Sequence, residues 1–100
     1  MREYIYVLKL IPRLHDEENW TDEDREIVRQ HFVRLRNFCD EDKVVIAGKT
    51  EIAYKRDFGI VVFIEENDEM AEVFMNEDPA VKFGIMTGEV FPYRIALLKE

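Results

Sequence analysis

Cysteine is almost missing from this 100-residue chain. With Cys39 alone, no internal disulfide can staple the fold, and a reducing, cytoplasmic setting is expected. Long hydrophobic runs are missing too. The first apolar run, Tyr4 to Leu8, halts at Lys9 and is too short for the core of a secretion signal. No run approaches the roughly 18 residues that a membrane span needs. Positive charge is scarce: 14 Lys and Arg stand against 22 Asp and Glu, a formal charge of −8. That balance argues against nucleic acid or an anionic membrane as partner. The 4 glycines form no phosphate-cradling loop, and no nucleophile elbow is present. Two histidines and one cysteine without ligand spacing argue against a metal site. What is present is a 47% hydrophobic complement, enough for one domain with a modest core.

The most informative residue is His31. Between Thr21 and Cys39 the apolar residues Ile27, Val28, Phe32, Leu35, Phe38 and Cys39 recur at helical spacing, and His31 falls within their stripe. An imidazole aimed at the core needs a partner there. Thr21 is a natural N-cap, Asp24 completes an approximate capping box, and Asp22, Glu23 and Asp24 suit the positive end of the helix.

The remaining elements follow from pattern. Glu3 to Ile11 reads as a strand stopped by Pro12, and Arg13 to Trp20 as a polar loop. Lys43 to Gly48 and Phe58 to Glu65 are two further strands, joined by a polar loop that contains Ile52-Ala53-Tyr54. Asn67 or Asp68 caps a second helix reaching Met75. Asp78-Pro79 starts a short helical piece closed by Gly84. Val90 to Leu98 is the expected last strand, at a sheet edge that tolerates Pro92. The order strand, helix, strand, strand, helix, strand is the split βαβ plan, an α+β fold with an antiparallel sheet and helices on one face. The strands are apolar on both faces, whereas an open sheet face should alternate with polar residues. Ile5, Val7 and Ile11 back Tyr4, Tyr6, Leu8 and Leu10; Phe58, Ile60, Val62 and Ile64 back Val61 and Phe63; Phe91, Tyr93, Ile95 and Leu97 back Val90, Ala96 and Leu98. A second copy, sheet against sheet, is the simplest cover.

Several stretches together resemble one family. They are Gln30-His31-Phe32 on the first helix, Ala47-Gly48 ending a strand and Phe58-Gly59-Ile60 opening the next. Asp78-Pro79-Ala80-Val81, Gly84-Ile85-Met86 and Phe91-Pro92-Tyr93-Arg94 follow. In this order and spacing they are similar to the YciI-like (YCII-related) family of the dimeric ferredoxin-like group, over nearly the whole chain. The resemblance implies one YciI-like domain over residues 1–100 and a homodimer packed through its sheets as a dimeric α+β barrel. It also implies a His/Asp dyad, here His31 and Asp78, and chemistry on small hydroxylated or lactone-type rings without metal or organic cofactor. The chain departs from the family at Asp42, where relatives often carry Gly, and in the loop Lys49 to Asp57.

Each candidate has an ordinary alternative. His31 could be a satisfied core histidine, and Asp78 simply an N-cap; one carboxylate can do both jobs. A carboxylate-oriented imidazole suits general base work. Arg13 and Arg94 could clamp an anionic group of the substrate, or be surface charges with buried stems. Thr50 could add a hydroxyl, or be loop chemistry. Cys39 reads as helix-end packing, His15 as a solvated loop residue, and Phe38, Phe63, Phe83 and Met86 as pocket or core lining. If His31 is a base, a Leu or Gln of similar bulk should cost little stability. The function expected is that of a small cofactor-free enzyme, an isomerase, lyase or hydrolase. It would transfer a proton with His31 and Asp78 on a small anionic or hydroxylated ring held by Arg13, Thr50 or Arg94. A non-catalytic, small-molecule-binding dimer is the alternative.

Overall fold

Thr21 caps the longest element as its sequence requires. Its hydroxyl accepts the Asp24 N–H at 3.1 Å while the Asp24 carboxylate accepts the Thr21 N–H at 2.9 Å, a reciprocal capping box. The computed structural model describes residues 1–99. It contains β1 (Arg2–Leu10), α1 (Asp22–Asp40), β2 (Val44–Lys49), β3 (Gly59–Glu65), α2 (Asp68–Asn76), α3 (Pro79–Lys82) and β4 (Met86–Pro92). The four strands form one antiparallel sheet in the order β2-β3-β1-β4. This is the α+β ferredoxin-like fold expected from the element order.

Alternation along β1 sends Tyr4, Tyr6 and Leu8 under the helices, where all three are buried. They pack with Phe63, Val61, Phe74, Met75 and Leu35. Phe63 stacks on Phe74 at 4.6 Å, and Tyr6 meets both rings edge-on. The other face carries a ladder of apolar pairs across all four strands. Phe91 lies opposite Ile5, Ile5 opposite Val62, and Val62 opposite Ile46. Ile46 and Phe91 remain exposed.

Several expectations change. The last strand is Met86–Pro92 rather than Val90 to Leu98. Its register with β1 runs from Leu10 opposite Met86 to Tyr4 opposite Pro92, so the partner strand runs out just beyond Pro92. The apolar tail that follows misled the pattern: Leu97 is 95% exposed. The stretch after β1 is not a plain loop. It forms two 3-10 turns, Pro12–His15 and Glu17–Asn19, and Leu14 of the first is fully buried. His15 is half-buried, its Nε2 3.2 Å from the Leu10 carbonyl. Cys39 and Phe83 are exposed rather than packed, because each ends a helix on its outer side. Asp42 adopts φ 63°, and Gly84 adopts φ 74°.

Candidate functional site

α1 lies across the sheet, but opposite its middle the sheet presents small residues. Ala47 of β2 and Gly59 of β3 sit on the helix-facing side, in line with Val61 and Lys49 respectively. The space they leave is a cavity of about 380 Å³, within the range of small-molecule sites. Leu8, Val28, Leu35 and Met86 make its apolar floor, and Trp20, Phe32, Tyr54 and Phe58 surround it with aromatic rings. Its polar groups are Glu17, Arg25, His31, Lys49 and Asp57. Trp20 is held by an indole N–H donated to the Leu14 carbonyl at 3.0 Å and lies 5.6 Å from the Tyr54 ring.

His31 projects from α1 onto this wall. Its Nδ1 lies 2.6 Å from Asp78 Oδ1 and 2.8 Å from Oδ2. Asp78 is the N-cap of α3, and its Oδ1 accepts the Ala80 N–H at 3.0 Å. One carboxylate therefore caps a helix and holds an imidazole. Tyr6 from β1 donates its hydroxyl to Asp78 Oδ2 at 2.6 Å, the short range of a charge-assisted bond. Asp78 is fully buried. Burial pushes its acidity in the wrong direction for an anion, but the bonds from His31, Tyr6 and the Ala80 N–H outweigh it and hold the carboxyl below its ordinary value. An ionised carboxylate only accepts, so in the neutral imidazole the proton sits on Nδ1 and Nε2 is the acceptor. Among the described residues nothing bonds Nε2, and it is not one of the sealed, unpartnered polar atoms.

Arg34, one turn beyond His31, also faces Asp78. Its Nη1 lies 3.9 Å from Asp78 Oδ2, while Nη2 donates to the Phe74 carbonyl at 2.7 Å. At the other side of the cavity Asp57 is buried, bonded by the Thr50 hydroxyl and paired with Lys49 Nζ at 2.9 Å. Burial alone would raise the Asp57 carboxyl; Thr50 and Lys49 pull it net below its ordinary value.

Of the five residues singled out, the structure brings His31 and Asp78 into contact and sets Thr50 behind the cavity wall through Asp57. Arg13 lies elsewhere: its guanidinium grips Asp24 with two bonds of 2.8 Å, locking the start of α1. Asp24 was legible as a capping residue, but not as the partner that occupies Arg13. Arg94 lies beyond β4 in the exposed tail, a consequence of the strand register, and does not line the cavity. Sequence reasoning missed Tyr6, Arg34, Lys49, Asp57, Trp20 and Tyr54. Each is an unremarkable residue type in its element, and only the loop Lys49 to Asp57, which carries none of the resemblance, offered a signal. Among the described residues no three His, Cys, Asp or Glu side chains converge as a metal-binding group, and no helix is long and apolar enough to cross a membrane.

No family model and no curated protein matches the chain in sequence. Among solved structures the chain is similar to 5-chloro-2-hydroxyhydroquinone dehydrochlorinase (TftG) from Burkholderia phenoliruptrix AC1100, in complex with 2,5-dihydroxybenzoquinone. The TM-score is 0.67 at 15% identity, over 92% of this chain and 93% of that one. At this identity the likeness is one of fold, and it supports the ferredoxin-like architecture.

Proposed function

We propose that this protein is a small YciI-like enzyme in which His31 transfers a proton and Asp78 orients it. The observation that carries the reading is one imidazole with two different ends. Nδ1 is held at 2.6 Å by a fully buried carboxylate, while Nε2 has no partner among the described residues and the ring lines a cavity of about 380 Å³. That is the arrangement of a general base: the carboxylate sets the tautomer and stabilises the imidazolium that forms when Nε2 takes a proton. The aromatic lining of Trp20, Tyr54, Phe32 and Phe58 suits a small flat ring, and Lys49 and Arg25 offer positive charge to a phenolate or enolate oxygen. A hydroxylated ring, the class of molecule named for the neighbouring dehydrochlorinase, is the proposed substrate type. His31 would take a proton from a ring C–H or O–H and return it at another ring atom in an isomerisation, or pass it to the departing group in an elimination; in a hydrolysis it would take the proton from the attacking water and give it to the leaving oxygen. The chain is further proposed to work as a homodimer, closed over the apolar face of its sheet.

The test is a panel of hydroxyquinones and hydroquinones, followed by absorbance and by exchange of ring protons in heavy water. Wild-type protein is expected to turn over or exchange at least one compound. His31→Gln should lower that rate by about 100-fold or more while still binding it. A second reading, a binding dimer without chemistry, draws on the mostly apolar lining and on Arg13 and Arg94 lying away from the cavity. It is favoured if compounds bind with no turnover or exchange. Turnover that persists at full rate in His31→Gln sinks the proposed role of His31.

A further inference from the structure

His31 is held through one side chain, Asp78, and Asp78 meets two groups outside the dyad. Tyr6 donates to Oδ2 at 2.6 Å, and Arg34 Nη1 stands 3.9 Å from the same oxygen. We propose that Tyr6 and Arg34 are positioning residues that act through Asp78 to set how tightly His31 holds its protons. The inference rests on the reading of His31 as the proton-transferring group and extends it to the residues that tune that group.

The geometry of Arg34 is the first argument. Among the described residues its Nη1 is the one buried side-chain nitrogen or oxygen without a hydrogen-bond partner. The guanidinium is fixed instead by the Phe74 carbonyl and by the faces of Phe74 and Phe38, 4.3 and 5.1 Å from its carbon. It thus brings a full positive charge to Asp78 without taking a bond from it. The buried cluster is balanced at rest, Asp78 negative and Arg34 positive. A proton arriving at Nε2 makes it net positive, so Arg34 opposes that step. Without Arg34, imidazolium and carboxylate would form a neutral buried pair, and His31 would keep the proton it should pass on.

Tyr6 works in the same direction by another route. Its hydroxyl drains charge from the carboxylate, which then attracts the imidazole proton less. Burial and the Asp78 charge push Tyr6 far up, so it stays a donor at any ordinary pH. The ring packs edge-on against Phe63 and Phe74, contacts that a phenylalanine would keep. The hydroxyl is therefore separable from the packing. The other charged or titratable groups on the His31 side, Glu17, Arg25, Lys49, Tyr54 and Asp57 on the cavity wall, are unchanged by either substitution.

Proton affinity of His31 is read directly by nitrogen NMR of the labelled full chain across pH. Wild type, Tyr6→Phe, Arg34→Met and Arg34→Lys are compared, each with a thermal melt. Tyr6→Phe and Arg34→Met should each raise the proton affinity of His31 by about tenfold, the lower end of what a nearby charge or bond does to a buried group. Arg34→Lys, which keeps the charge, should stay close to wild type. If Arg34→Met does not fold, Arg34→Gln replaces it as the uncharged variant, and an unchanged His31 titration in the folded uncharged variant overturns the role of Arg34. An unchanged His31 titration in folded Tyr6→Phe overturns the role of Tyr6. A shift in Arg34→Lys as large as in Arg34→Met overturns the role of the Arg34 charge. Shifted titrations without turnover of any compound leave the tuning network standing and remove the enzymatic reading. Turnover that needs His31, with titrations unmoved, does the reverse.

Discussion

His31 is both things that were set against each other. It is a core histidine with one satisfied nitrogen, and its ring, with Nε2 unpartnered among the described residues, lines a cavity. The expectation that a bulky apolar replacement costs little therefore does not carry over. His31→Leu removes a donor from a fully buried carboxylate, leaving Asp78 only the Tyr6 hydroxyl and the Ala80 N–H. A loss of about 1–3 kcal/mol is expected, read from urea unfolding with the slope unchanged. A variant as stable as wild type would mean that the bond contributes nothing to the fold. His31 was visible in the sequence because a titratable side chain stood on an apolar stripe. Tyr6 and Arg34 were not. A tyrosine in a strand and an arginine on a helix are ordinary there, and only packing brings them to one oxygen.

Turns were read more reliably than strand ends, and the left-handed positions explain why. Asp42 and Gly84 both close helical segments with positive φ, 63° and 74°. Asp42→Gly removes the strain of a side chain in that region, about 1 kcal/mol, and gives part of it back through a more flexible unfolded chain. A small rise in melting temperature is expected. Gly84→Ala should do the opposite and cost about 1–2 kcal/mol. No atom lies within 4 Å of the added carbon, so the cost is conformational rather than steric. Opposite signs in calorimetry would check the pair; a stabilising Gly84→Ala would contradict the account. The end of β4 could not be read in the same way. Pro92 marks it locally, but the boundary comes from how far β1 extends as a partner.

For the molecule as a whole, the apolar sheet face opposite Tyr4, Tyr6 and Leu8 carries the largest consequence. The apolar ladder Phe91–Ile5–Val62–Ile46 spans every strand; Val62 is buried within the single chain, Ile5 is half-buried, and Phe91 and Ile46 at the two ends are exposed. The proposed homodimer buries it. Sedimentation at micromolar concentration should give twice the chain mass. Ile46→Glu should reduce it to the chain mass without unfolding the subunit, because Ile46 is 52% exposed in the single chain. A wild-type monomer would leave the ladder without its proposed cover.

Period and punctuation alone were enough for the α+β class and the strand-helix order. They also placed the capping box at Thr21, the N-cap at Asp78, the turn at Gly84 and the inward direction of His31. All of these depend on neighbours within a few residues, where side-chain spacing and backbone preference act directly. The site was legible only in part. Asp78 came from a family resemblance, and its contact with His31 joins residues 47 apart in the chain. The cavity exists because Ala47 and Gly59 fall opposite α1, a matter of sheet register. Arg13 was free in the sequence and is bound by Asp24 in the fold; Arg94 was on a strand and lies beyond one. Such outcomes turn on which distant partner reaches a charged group first and where a neighbouring strand stops, and local pattern contains neither distance.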